Sequence, residues 1–318
     1  MTTGQIVALI PLSFLIGLLW APTLIRALRQ LKFGKQIRLE GPSSHMVKQG
    51  TPTMGGWLFI VTATAVALIF APDRLAVAPA LAAMLLFGVS GALDDYANTK
   101  SKEGVGFRVR YKFLWHGVMA LALGWWLYQN PSMRLQRLPG GAELDLGWFF
   151  IPFAAFAIFS CTAGVNEIDG LDGLAGGTSL AAFASYLVLA LSTGLIVPAV
   201  FAAAVVGALI AYLWHNVNPA SVFMGDTGAL ALGAGLAVLA IQTRWLFLLP
   251  VIGILFVVEL LSVILQVLYF KATHGRRLFK MSPIHHHFEK CGWPEQQVVF
   301  RFWLLGFVAA TLGVALGL

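Results

Sequence analysis

Charge is scarce in this chain. Only 11% of its 318 residues are Asp, Glu, Lys or Arg, against about 25% in an average soluble domain. Hydrophobic residues make up 58% and the mean hydropathy is +0.81. That apolar excess is too large for the core of a soluble domain, so the sequence reads as an integral membrane protein. Cysteine is nearly absent. Cys161 and Cys291 are the only two, and both fall in segments assigned below to the cytoplasmic side, where thiols stay reduced; no disulfide is expected. The 33 glycines follow no period of three, which excludes collagen. The HExxH spacing of a zinc site is missing, and so is the Gly-x4-Gly-Lys order of a P-loop. No internal repeat supports an inverted-repeat transporter. In such a chain the net charge of +7 speaks first about sidedness rather than nucleic acid.

What is present is a series of long apolar runs. A span needs roughly 20 mostly apolar residues, and ten segments qualify, near 4–26, 54–72, 75–96, 112–128, 147–165, 174–193, 195–214, 228–242, 245–270 and 298–318. The Gly-rich run 228–242 is the shortest of them. The first run lacks a basic segment before it, so it reads as a retained span rather than a cleaved leader. Ten spans sort the loops into two sets. One set holds Arg74, Arg134, Arg137 and Arg244; the other holds the remaining 17 of the 21 basic residues. By the positive-inside rule the richer set is cytoplasmic and both termini are periplasmic. The expectation is a single all-α polytopic domain over residues 1–318, with a small periplasmic β-hairpin near 132–146, where LQRLPGGAELDLG alternates around a Pro-Gly-Gly turn.

The 14 acidic residues are few enough to follow singly. Asp73, Glu143 and Asp145 fall outside, Glu259 falls inside a span, and the other ten lie at cytoplasmic loops or helix ends. Ionisable groups at membrane depth are costly and mark functional sites. GALDDYANTK places Asp94 and Asp95 about 100° apart on a helix, so that one can serve chemistry while the other holds a neighbour; the plain alternative is a solvated helix end. NEIDGLDGLAGG spaces Asn166, Asp169 and Asp172 by three, which aligns them on one face of a helical turn beside glycines. That suits a sugar, a nucleotide or a hard cation such as Mg2+, and would equally suit a capped turn between spans. NVNPASVFMGDTGAL brings Asn216, Asn218, Phe223 and Asp226 into one connection, with Asp226 at a helix N-terminus.

MSPIHHHFEKCGWPE carries His285, His286 and His287, which diverge on a helix and so cannot share one metal; phosphate contact or proton transfer is the reading. KQGTPTMGG offers Lys48, Thr51 and Thr53 beside paired glycines, a phosphate-contacting edge or an ordinary helix start. Glu259 and Gln266, seven residues apart, share a helix face, as a polar pair between helices or a substrate contact. His116 and His215 read as packed helix-end histidines. All three acid clusters lie on cytoplasmic connections. Carboxylates gathered at a bilayer interface point to a metal-assisted phosphoryl-type transfer between a cytosolic nucleotide and a lipid phosphate.

These motifs, in this order across ten spans, resemble the phospho-N-acetylmuramoyl-pentapeptide transferase branch of the polyprenyl-phosphate N-acetylhexosamine-1-phosphate transferase superfamily. The likeness covers nearly the whole chain, and the HHHFE segment followed by Gly-Trp is what sets this branch apart from relatives that use UDP-N-acetylglucosamine. It implies transfer of phospho-N-acetylmuramoyl-pentapeptide from its UDP-linked precursor to undecaprenyl phosphate, giving lipid I and UMP with Mg2+ as cofactor, in the bacterial inner membrane with the active site facing the cytoplasm. It also implies a homodimer and no nucleic-acid partner. By the motifs, Asp94, Asp95, Asp226 and His285 would be catalytic and Asp226 the metal ligand. Lys48, Thr53, Asn166, Asp169, Asp172, Asn216, Phe223, Gly225, Gln266 and His286 would bind substrate. The chain departs from the family at Ala229, where Ser is common, and at FRVRYK around Arg110 and Lys112. A transferase using UDP-N-acetylglucosamine is the alternative within the class; a cation-coupled transporter, which needs acids near the midplane, is the alternative outside it.

Overall fold

The computed structural model describes residues 1–31, 50–101 and 106–318; Lys48 lies outside them. The helices, in chain order, are α1 (Thr3–Val7), α2 (Leu9–Gln30), α3 (Trp57–Phe70), α4 (Arg74–Lys100), α5 (Val109–Tyr128), α6 (Pro131–Arg134), α7 (Phe150–Ile168), α8 (Leu174–Ser192), α9 (Ile196–Asn216), α10 (Gly225–Gln242), α11 (Leu249–Ile252), α12 (Ile254–Ala272), α13 (Ile284–Lys290) and α14 (Glu295–Gly317). Among the described residues, eight helical segments are long and apolar enough to cross a membrane. The 14-residue α3 and the 20-residue α5 stand where the other two expected spans lie. The run expected as one span over 245–270 is instead broken. Pro250 sits in the first turn of α11, and the chain turns at Gly253 (φ −100°, ψ 29°) before α12 begins.

The expected hairpin is present. Strands β1 (Leu135–Arg137) and β2 (Glu143–Asp145) pair antiparallel, with Gln136 opposite Leu144. Arg137 N–H donates to the Arg244 carbonyl, and the fully buried Gln136 side chain ties Met133 and Ile241 to Leu246. At that same end of the bundle the C-terminal Gly317 packs beside Trp245.

Helix α10 occupies the centre, between α4 and α7. Every residue of it is buried except Asp226. This explains why so Gly-rich and weakly apolar a segment is stable: protein, not lipid, surrounds it, and small side chains permit close helix approach. One such approach is at Gly91 of α4, where a Cβ would collide with the main chain of Asp226.

Candidate active site

The end of the bundle away from the hairpin is built around the start of α10. Three segments fix that start. The TPTMGG segment runs beside Phe223–Met224 and pairs with it through main-chain bonds. Gly55 N–H donates to Phe223 O (2.8 Å), Phe223 N–H to Pro52 O (2.8 Å) and Gly56 N–H to Met224 O (3.1 Å). Gly225 then takes the left-handed conformation (φ +71°), and a Cβ there would strike Asp95 and Thr53. Asp95 satisfies the first-turn donors of α10. One of its oxygens accepts from Asp226 N (3.2 Å), the other from Thr227 N (3.0 Å) and Thr227 Oγ1 (2.7 Å). This is N-capping by a side chain from another helix, with the carboxylate also favoured by the helix dipole.

With Asp95 committed to the backbone, its neighbour Asp94 faces a different way, as adjacent helix positions must. Asp94 Oδ1 accepts from Phe107 N (2.7 Å), and Oδ2 lies 2.5 Å from Lys112 Nζ. Lys112 reaches on to Asp226 Oδ2 at 3.0 Å, while Asn166 Nδ2 donates to Asp226 Oδ1 at 3.0 Å. Four helices, α4, α5, α7 and α10, therefore meet through one ammonium, two carboxylates and one amide. Asp94 is buried, but the Asp226 and Lys112 side chains keep 26% and 29% of their surface, so the cluster opens to the outside. A crevice of about 240 Å³ reaches Asp94 and Lys112 between α4 and α5, lined also by Leu93, Phe107, Trp115 and His116. His116 is held by Ser90 at 3.0 Å.

The other expected residues are brought to the same end but are spent differently. Asp172 is a brace: Oδ2 accepts from Asn218 Nδ2 (3.2 Å) and Ala220 N (3.1 Å), and its own N–H donates to Glu295 (2.9 Å). Asn216 accepts from Gly173 N (3.0 Å) and donates to Val222 O (2.9 Å). Together these lock the 166–173 turn to the 216–224 connection. Asp169, at the C-cap of α7, and Phe223 both flank that joint. Thr53 is buried beside Gly225. Gln266 accepts from Leu278 N (3.1 Å) and Phe279 N (2.9 Å) and donates to Phe279 O (3.2 Å), so its side chain positions the segment after α12.

The three histidines have different hydrogen-bond partners, although the rings of His285 and His286 lie against each other with centroids 4.1 Å apart. His285 is fully buried; its Nδ1 lies 3.1 Å from Glu259 Oε1, and Glu259 Oε2 also accepts from Ile284 N (2.9 Å). Its Nε2 has no partner among the described residues and lies against Gly170, where a Cβ would collide with it. His286 pairs with Glu289 (2.7 Å), and His287 accepts from Lys280 N (3.1 Å) on the exposed side. Glu259, expected inside a span and read with Gln266 as a polar pair between helices or a substrate contact, is thus the anchor of His285. Replacing Glu259 by Gln is expected to lower kcat by about 10- to 100-fold, as for other groups that orient a functional imidazole. Unchanged turnover would show that His285 needs no such anchor.

Lys112, at the middle of the cluster, is the residue that sequence reasoning undervalued, counting it only as a cytoplasmic charge. A lysine one turn into an apolar helix, four positions before His116, is the signal that identifies it.

No group of three or more His, Cys, Asp or Glu among the described residues forms a metal cage. Asp94 and Asp226 nevertheless share a single cation, the Lys112 ammonium. Two hard carboxylates with an open side match how Mg2+ is bound, through one or two carboxylates, with waters and substrate phosphates completing the shell.

The family model described as Glycosyl transferase family 4 matches residues 77–244, the stretch that holds Asp94, Lys112, Asn166 and Asp226. The chain is 42% identical over 298 residues to a phospho-N-acetylmuramoyl-pentapeptide-transferase of Caldanaerobacter subterraneus, covering 94% of each chain. It is 42% identical to the enzyme of that name from Listeria monocytogenes, covering 99% of this chain and 98% of the relative, and 42% identical to that of Bacillus subtilis, covering 95% of each. Eight apolar helices and relatives of this kind make the protein a multi-pass membrane transferase. The chain therefore belongs to glycosyl transferase family 4 and, within it, to the phospho-N-acetylmuramoyl-pentapeptide-transferase family.

Proposed function

We propose that this enzyme transfers phospho-N-acetylmuramoyl-pentapeptide from its UDP-linked precursor to undecaprenyl phosphate, releasing UMP and forming lipid I at the cytoplasmic face of the bacterial inner membrane. The observation that carries the reading is Lys112 held between Asp94 and Asp226 at an open bundle end, in a chain whose relatives bear that transferase's name. An oxygen of the lipid phosphate bonds to the sugar-bearing phosphorus, and the bond to the bridging oxygen breaks as UMP leaves. Catalysis of this kind is mostly positioning and neutralisation of charge. Asp226 would hold Mg2+, which when bound supplies the neutralising charge for the diphosphate. Lys112 contributes a second positive charge beside the reacting oxygens. The Asp94 carboxylate is the base placed to take a proton from the lipid phosphate, and Asp95 positions Asp226 through the first turn of α10. His285, anchored through Nδ1, presents Nε2 toward the Asp169–Asp172 turn.

The same reading carries ten spans, with α3 and α5 added to the eight, and both termini periplasmic. Among the described residues, Arg29, Lys100 and Lys112 share the end of the bundle that carries the acid cluster, and the hairpin and C-terminus lie at the other, which supports this orientation. A homodimer follows from the family resemblance. Donor choice is the test. UMP release with undecaprenyl phosphate is expected from UDP-N-acetylmuramoyl-pentapeptide and not from UDP-N-acetylglucosamine; the reverse preference would move the chain to the other branch.

A further inference from the structure

Beyond α12's contact with His285 lies a second cavity, of about 420 Å³, that the reaction as described does not use. Lys271, Arg277, Lys280 and Lys290 line it, together with Ser282 and Gln266, and no carboxylate does. Among the described residues none of the four cations forms an ion pair with an acid. Arg277 and Lys280 instead donate to the carbonyls of Lys280 (3.4 Å) and Lys290 (3.2 Å). Four like charges gathered in one concavity repel one another, and an anion entering it relieves that repulsion. The walls are also set in place. Gln266 clamps Leu278 and Phe279, Glu259 clamps Ile284, and His287 accepts from Lys280 N, so the segment between α12 and α13 is pinned along α12 at several points.

We propose that this pocket binds the carboxylates of the donor's peptide, its C-terminal carboxylate first; the inference rests on the donor assignment above. The cavity begins at Gln266, seven residues along α12 from the Glu259 that holds His285, which is about 10 Å of helix at 1.5 Å per residue. An extended pentapeptide reaches about 17 Å. A sugar-phosphate held beside His285 and the Asp169–Asp172 turn thus has its peptide end within range of the cations. Charge complementarity selects an acidic peptide over a neutral one and gives the sugar-bound chain a second point of attachment, far from the reacting phosphorus.

The experiment compares two donors in detergent-solubilised full-length enzyme: UDP-N-acetylmuramoyl-pentapeptide and the same molecule with its terminal carboxylate converted to the amide. With unaltered enzyme, amidation is expected to raise donor KM about tenfold, the range of two partly exposed charge-assisted contacts. The double variant Lys280→Gln/Lys290→Gln is expected to raise KM for the acid form by the same factor and to add little for the amide. Equal KM values for both donors on unaltered enzyme would overturn the proposal without any reliance on the variant's folding. So would a variant penalty that is the same for acid and amide. A penalty that appears only in vesicles containing phosphatidylglycerol, and not in phosphatidylcholine, would reassign the pocket to anionic lipid headgroups. Absence of UMP release from either donor would instead remove the donor assignment itself.

Discussion

Replacement of Asp226 by Asn is expected to lower UMP release about 1,000-fold or more, with the protein still extracted folded. Removing one preorganised electrostatic partner of a transition state costs on the order of 10²–10³ in rate, and Asp226 has two such roles, toward Lys112 and toward the proposed cation. It is also the only residue of α10 that is not buried, and its carboxylate is held by Lys112 and Asn166. Asn keeps the shape and one acceptor. The backbone of residue 226, which carries the contact with Gly91 and the bond to Asp95, is untouched. Folding and catalysis are therefore separable at this position. Thermal unfolding in detergent that stays within a few degrees while turnover disappears is the expected pair of results; retained turnover would remove Asp226 from the chemistry.

Lys112→Met is expected to be nearly as severe, about 100- to 1,000-fold in kcat, for a different reason. Its ammonium is the only described cation that touches both Asp94 and Asp226. Without it two carboxylates face each other across one opening, and each disfavours ionisation of the other. A higher Mg2+ concentration should then be needed to reach half-maximal rate, because the divalent ion must supply all of the neutralisation. Lys112→Arg, which keeps the charge on a bulkier planar group, should lie between the two. If Lys112→Met left both kcat and the Mg2+ requirement unchanged, the residue would be a structural strut.

Much of this was legible in the sequence. The eight long apolar helices, the hairpin and the acid clusters follow from apolar run length, turn chemistry and scarcity of charge. The divided roles of Asp94 and Asp95 follow from 100° of helical rotation. Other features were not readable, for physical reasons. The sequence places Asp226 at a helix N-terminus, but it is the carboxylate of Asp95, from another helix, that occupies the capping position there. Asp172, Asn216 and Gln266 look like ligand-binding polar groups; in the structure each also bonds loop main chain, which must be satisfied wherever it leaves water. His285 is distinguished from His286 and His287 only by Glu259, 26 residues away. Local patterns carry no information about such pairings.

UMP release measured on the purified chain tests the proposed reaction at this cluster most directly. With UDP-N-acetylmuramoyl-pentapeptide, undecaprenyl phosphate and Mg2+ together, UMP should form in step with a lipid-linked muramoyl product, and omission of the lipid phosphate or chelation of Mg2+ should each stop it. UMP formation that continues without the lipid phosphate, or at full rate in excess chelator, would contradict the account.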